Sequence, residues 1–192
     1  MFEELLSFQT NLPPKEGRIL IAEPHLQEEP FQRAVIFLCI HRENESVGYA
    51  INKPIQASLS DLFPGDINCK FPLYIGGPVS TDTLHFLHNL PELLGGEKIH
   101  EGIYWNGDLN ALLKGINDNI ITPQQCKIFL GYSGWGKGQL DEEIEKQSWL
   151  VAEPFANLFL NTDDKGIWKD AILHLDKKFH AILNMPLSPE WN

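Results

Sequence analysis

The stretch GYSGWGKG, Gly131 to Gly138, carries the first seven positions of the phosphate-binding pattern G-x-x-x-x-G-K. In that pattern backbone amides and a lysine cradle a triphosphate, and a closing Ser or Thr hydroxyl holds magnesium. Here the eighth position is Gly138, which has no hydroxyl, and Asp141, Glu142 and Glu143 follow where the phosphates would sit. Carboxylates at a helix start repel a phosphate rather than bind it, so the residues argue against a nucleotide loop. Ser133 invites a second chemistry, because GYSG resembles part of the nucleophile elbow G-x-S-x-G. It is one residue out of phase, with Trp135 where the second glycine belongs. The third is metal binding: Asp82, His85 and His88 in DTLHFLH are three residues apart, a spacing that a helix would gather on one face. On a strand, His85 and His88 point to opposite sides. Leu84 and Phe86 alternate with His85 after the turn-like GGPV, which favours the strand, and no metal site is expected.

The elements that must position these residues are short and mixed. RILIAE (18–23) and RAVIFLCIH (33–41) read as strands, the second apolar on both faces as a central strand is. His41, at its end, reads as a hydrogen-bonded rim residue rather than a general base. After the polar tip RENES, VGYAIN (47–52) completes a hairpin. PLYIGG (72–77) and CKIFLGY (126–132) are further strands ending in glycine, which makes GYSGWGKG a loop at a strand end. Asp108 caps a helix whose Leu109, Leu112, Leu113 and Ile116 form one stripe, with Gly115 near its end. DEEIEKQ (141–147) follows the glycine stretch as a second helix. A third sets Ile167, Trp168, Ala171, Ile172 and Leu175 on one face. Strands early and helices interspersed later predict an α+β chain rather than a regular βαβ alternation.

Composition bounds the function. At 192 residues and 43% hydrophobic content the chain is long enough for one domain with a real core. Its longest apolar run, Ala34 to Ile40, is far short of the roughly 18 residues of a membrane span. MFEELLSF at the N-terminus has Glu3 and Glu4 where a secretory signal carries positive charge, and its Phe2, Leu5 and Leu6 suggest a short amphipathic helix docked on the body. Cys39, Cys69 and Cys126 are an odd number without C-x-x-C spacing, so neither a disulfide framework nor a zinc knuckle is indicated and a reducing cytoplasm is expected. A net charge of -11, from 26 acidic and 15 basic side chains without a basic cluster, predicts no direct nucleic-acid binding.

The blocks GRILIAEPHL, FQRAVIFLCIH, GYAINKPI, LSDL, YIGGPV, LHFLH, GDLNALLKG and FLGYSGWGKGQLDEEIEKQSWL occur in this order between Gly17 and the C-terminal part of the chain. Together they resemble the YqgE/AlgH family of bacterial proteins, and G-Y-x-G-W-x-x-G-Q-L is the distinctive block. The chain departs from the family's habit at Ala34, where Ser is frequent, at Tyr49-Ala50, where Leu-Val is, and at Lys53, where Arg is. The last weakens any bidentate role at 53. The resemblance implies a single α+β domain of coiled, mixed and partly bifurcated β-sheets with flanking helices, and it implies no particular reaction. Some members carry a transcriptional-regulator label, although no helix-turn-helix pattern or basic face occurs here.

Two classes of function follow as expectations. The first is a binding or regulatory protein with a groove beside IGGP and GYSGWG, built from Asn52, Tyr74, Gly76, Gly77, Pro78, Tyr132, Ser133, Gly134, Trp135 and Gln139, with Trp135 at the groove rim and no cofactor. Its ligand would be a protein or a small molecule. The alternative is a hydrolase drawing on Ser133, His41 or His85 with Asp61 or Asp108.

Overall fold

A run of residues that is apolar at every position needs cover on both sides, and the chain supplies it by threading its two such runs through the middle of one sheet. The computed structural model describes residues 9–156, 158–159 and 163–184; the docked helix expected over 1–8 lies outside them. Strand β1 (Ile19–Ala22) lies between β2 (Val35–Arg42) and β10 (Trp149–Ala152) and is antiparallel to both. Along β1 and β2 the side chains alternate between two cores. Ile19, Ile21, Val35 and Phe37 face one, and Leu20, Ala22, Ile36 and Leu38 face the other.

The expected hairpin is present as β2 and β3 (Glu45–Ala50), with an irregularity between Leu38 and Ile40 that leaves Cys39 without a paired residue. Beyond β3 comes β9 (Cys126–Gly136), then β6 (Val79–His88), β8 (Ile103–Trp105) and β7 (Glu97–His100), while β5 (Pro72–Ile75) joins β9 and carries β4 (Pro54–Ser58) on its far edge. Only β5 and β9 run parallel among these pairs. The DTLHFLH segment is strand, as its alternation indicates.

One expectation is overturned here. GYSGWG is no loop: β9 continues through it to Gly136, and only Lys137 and Gly138 turn before the next helix. Residues Ile128–Leu130 pair with β5, and Ser133–Gly136 pair with β3, on the same edge of the strand. Gly131 lies between the two stretches at φ +65°, a left-handed conformation open to glycine at no steric cost. The sheet therefore forks at Gly131, which is the partly bifurcated arrangement the resemblance implies.

Helices cover the faces. Helix α1 (Leu59–Leu62), α2 (Pro91–Leu94) and α3 (Leu109–Asn117) close the core of the β5 branch through Leu59, Leu94, Leu112 and Ile116. Asp108 accepts the Ala111 amide at 3.0 Å, as its position predicts, although Leu109 of the expected stripe is exposed. Helix α4 (Gln139–Glu145) covers the face of β1, β2 and β10 that bears Trp149. Helix α5 (Ile167–Leu173) and a 3-10 turn over Lys177–Asn184 cover the opposite face with Ile167, Trp168, Ala171, Phe179 and Ile182.

Candidate functional site

The residues proposed from sequence take on distinct structural roles along β9 and its neighbours. Gly76, Gly77 and Ser133 hold the fork. The Gly76 carbonyl accepts the Ala50 amide at 2.9 Å and the buried Ser133 hydroxyl at 2.9 Å, so strands from both branches meet on one oxygen. A Cβ at Gly77 would lie 2.3 Å from Ser133 N and from Tyr132 C and O, which requires a glycine. Pro78 is exposed beyond this crossing, and Tyr132 is half-buried, with Gly134 beside its ring.

Trp135 and Gln139 take a second role, and the rim expectation for Trp135 is corrected. Its side chain is 5% exposed and packs edge-on against Trp149 at 6.2 Å. Glu143 of α4 accepts both indole N–H groups at 2.8 Å and the Gln139 amide at 3.0 Å. The physical reason is strand alternation: as part of β9, Trp135 must face one core, and the glycines flanking it face the other way. The acids that looked like a phosphate-repelling helix start thus include the carboxylate that pins α4 to two strands.

Asn52 and Tyr74 flank the crossing, Asn52 between the backbone hydrogen bonds that join Ala50 to Gly76 and Lys53 to Ile75, and Tyr74 beside them. Asn52 accepts the Val35 amide and donates to the Arg33 carbonyl, both at 2.9 Å, and so fastens the start of β2. Tyr74 is the sequence-proposed residue that enters a charged arrangement. Its hydroxyl donates to Asp164 Oδ2 at 3.1 Å, and Lys127 Nζ lies 4.1 Å from its ring centroid.

Lys127 is the residue that sequence reasoning passed over. It stands in β9 with its side chain 3% exposed, pairs with Asp164 at 2.7 Å and donates to the Ile51 carbonyl at 3.0 Å. Burial pulls its ammonium below the ordinary lysine value, and Asp164 opposes the shift. The signal was present in CKIFL: a cation at a position covered on both faces is costly unless paired. Lys127 also lines a cavity of about 360 Å³, together with Leu87, Ile103, Phe155, Leu158 and Phe159. His88 and His100 are further lining residues.

The residues named for hydrolysis are not assembled. Ser133 is spent on a carbonyl. Asp61 accepts the Ser58 amide at 2.8 Å and Asp108 serves as a cap, on different helices. His41 Nδ1 lies 2.8 Å from the buried Ser46 hydroxyl, a cross-strand contact in keeping with a rim role. His85 contacts the Thr83 hydroxyl at 3.1 Å through Nε2, while His88 faces the other side with Nε2 donating to the Asn106 carbonyl and Nδ1 accepting the Leu90 amide.

Both histidines are held below the ordinary value of 6.5, by burial. Their unfolded forms take up protons first as pH falls below 6.5, so their contribution to stability is complete above that value and is lost below it. Thermal melts are expected to shift down by a few degrees between neutral pH and about pH 5, and His85→Phe, which keeps a ring against Tyr49, should flatten part of the slope. An unchanged slope would show that other groups carry the acid response.

The forked sheet, closed by a glycine crossing and covered by short helices on both faces, defines an α+β class in which one long strand serves two branches. Residues 19–180 match the AlgH-like family DUF179, and the chain belongs to that family. A UPF0301 protein of Bacteroides fragilis is 38% identical over 183 residues, covering 95% of this chain and 93% of that one. One of Chlorobium limicola is 33% identical over 179 residues, with 93% and 96% covered. In fold, the chain is similar to a crystal structure of a Corynebacterium diphtheriae protein (TM-score 0.74, 20% identity, 92% and 95% covered). It is likewise similar to the solution structure of AlgH from Pseudomonas aeruginosa (TM-score 0.67, 23% identity, 92% and 98% covered).

Proposed function

We propose that the chain is a binding protein with a regulatory role, and that it takes a small ligand in the cavity beside Lys127. The cavity of about 360 Å³ carries this reading: its wall sets Leu87, Ile103, Phe155 and Leu158 beside polar side chains that include His88, His100, Glu101 and Lys127, and a recess that joins apolar surface to convergent polar groups is the usual form of a small-molecule site. The groove expected beside IGGP and GYSGWG is replaced by this recess, because Ser133 and Trp135 are committed to the fork and to Glu143. Tyr74 stays among the proposed residues through its contact with Asp164 and Lys127. Any effect on transcription is proposed to pass through a bound ligand or protein, since a net charge of -11 opposes direct contact with a phosphate backbone.

A fragment screen by saturation-transfer NMR tests the reading. Binders are expected to perturb the amides of Leu87, Ile103 and Phe155 together, and to be lost in Ile103→Trp, which fills the recess, while the variant keeps its melting curve. Binders that ignore Ile103→Trp, or perturb scattered surface amides, would place the site elsewhere and end this proposal.

A further inference from the structure

Lys127 and Asp164 form a buried ion pair, with side chains 3% and 14% exposed. As a stabilising device such a pair is a poor choice, because desolvating both ions offsets most of their attraction and apolar replacements of similar volume are often neutral or better. Its makeup is also asymmetric. The donors, Lys127 Nζ at 2.7 Å and Tyr74 Oη at 3.1 Å, stand on β9 and β5 in the sheet, each reaching one oxygen of the carboxylate. The acceptor stands on the connection between β10 and α5. A lysine ammonium and a tyrosine hydroxyl meeting on the two oxygens of one carboxylate make a carboxylate-binding arrangement in their own right. Lys127 belongs at the same time to the wall of the cavity, which offers an apolar stretch in Phe155, Leu158 and Phe159 and also carries His88, His100 and one acid, Glu101.

The geometry points to a carboxylate site whose resident occupant is the chain's own Asp164. Lys127 and Tyr74 are set to hold the acid group of a small amphipathic carboxylate, and the cavity is set to hold its apolar body. This rests on the binding reading above and names the ligand class for the same recess. Asp164 then acts as an internal competitor. A ligand must displace a tethered carboxylate from Lys127, which lowers its apparent affinity, and removal of the competing charge should raise it. The Ile51 carbonyl stays on Lys127 throughout and fixes the stem while the partner changes.

Octanoate and 1-octanol are the probes, with calorimetric titration of the full chain. Octanoate is expected to bind Asp164→Asn at least ten times more tightly than wild type, and at least ten times more tightly than 1-octanol binds the same variant. Lys127→Met in the Asp164→Asn background, which leaves no unpaired buried charge, should bring the two probes to equal affinity. If both probes bind Asp164→Asn equally, the recess is a ligand site and the carboxylate assignment falls. If neither binds, the binding reading falls with it. Should Asp164→Asn not fold, titration of wild type with octanoate decides the matter by NMR. Shifts at Lys127 and Tyr74 that 1-octanol does not reproduce are expected, and their absence overturns the assignment.

Discussion

Gly77→Ala is expected to cost at least about 3 kcal/mol and to lower the melting temperature by on the order of 10 °C, enough to leave much of the protein unfolded during expression. A methyl group there would stand 2.3 Å from three backbone atoms of Tyr132 and Ser133, in the strand that also binds β3, β5 and β6. Close-packed interiors absorb such an insertion only by moving their surroundings, and here the surroundings are three strand pairings at once. Gly136→Ala is the internal control. It lies in the same strand with nothing within 4 Å of its would-be Cβ, so its effect should stay within about 0.5 kcal/mol. Thermal melts of the two variants side by side test the claim, and equal midpoints would show that the crossing is softer than its distances imply.

Trp135→Ala is expected to cost about 3–5 kcal/mol. The change removes a buried indole from the core that contains Trp149 and Leu140, and it takes away one of the two indole donors on Glu143. Trp135→Phe separates these effects. The ring is largely retained, and the lost hydrogen bond to a carboxylate should cost about 1.5–3 kcal/mol. Urea unfolding of both variants is the measurement. An alanine variant as stable as wild type would return Trp135 to the exposed rim that the glycines around it suggest.

That suggestion shows where sequence reasoning reaches and where it stops. Ile36, Phe37 and Leu38 declare a strand buried on both faces, and Asp108 declares a helix start, because each signal is local and both came out as read. His85 and His88 were separable for the same reason: a period of two needs only neighbouring residues to be seen. The run from Gly131 to Gly136 misled because glycine-rich segments usually mark loops, whereas here Gly131 and Ser133 belong to a crossing with Gly76 and Gly77, some fifty positions away. Nothing adjacent to Gly77 reveals that Ser133 lies against it. Lys127 was legible in principle, as a cation inside CKIFL, but its meaning depends on Asp164 and Tyr74, which only the folded chain brings near. The short strands β7, β8 and β10 carry too few residues to show a period at all.

The position of β9 in the chain also bears on how the protein is made. Strands β3, β5 and β6 are all synthesised before residue 89, yet each keeps one edge unpaired until Cys126–Gly136 has emerged from the ribosome. Open, apolar strand edges are the sites at which nascent chains join one another. A ribosome stalled between His88 and Cys126 would therefore release a fragment with at least three such edges, and full-length chains must complete their sheet within the last third of translation or after it. The chain's dependence on protection during synthesis is thus set by the place of one strand in the order of manufacture, whatever the final stability of the fold.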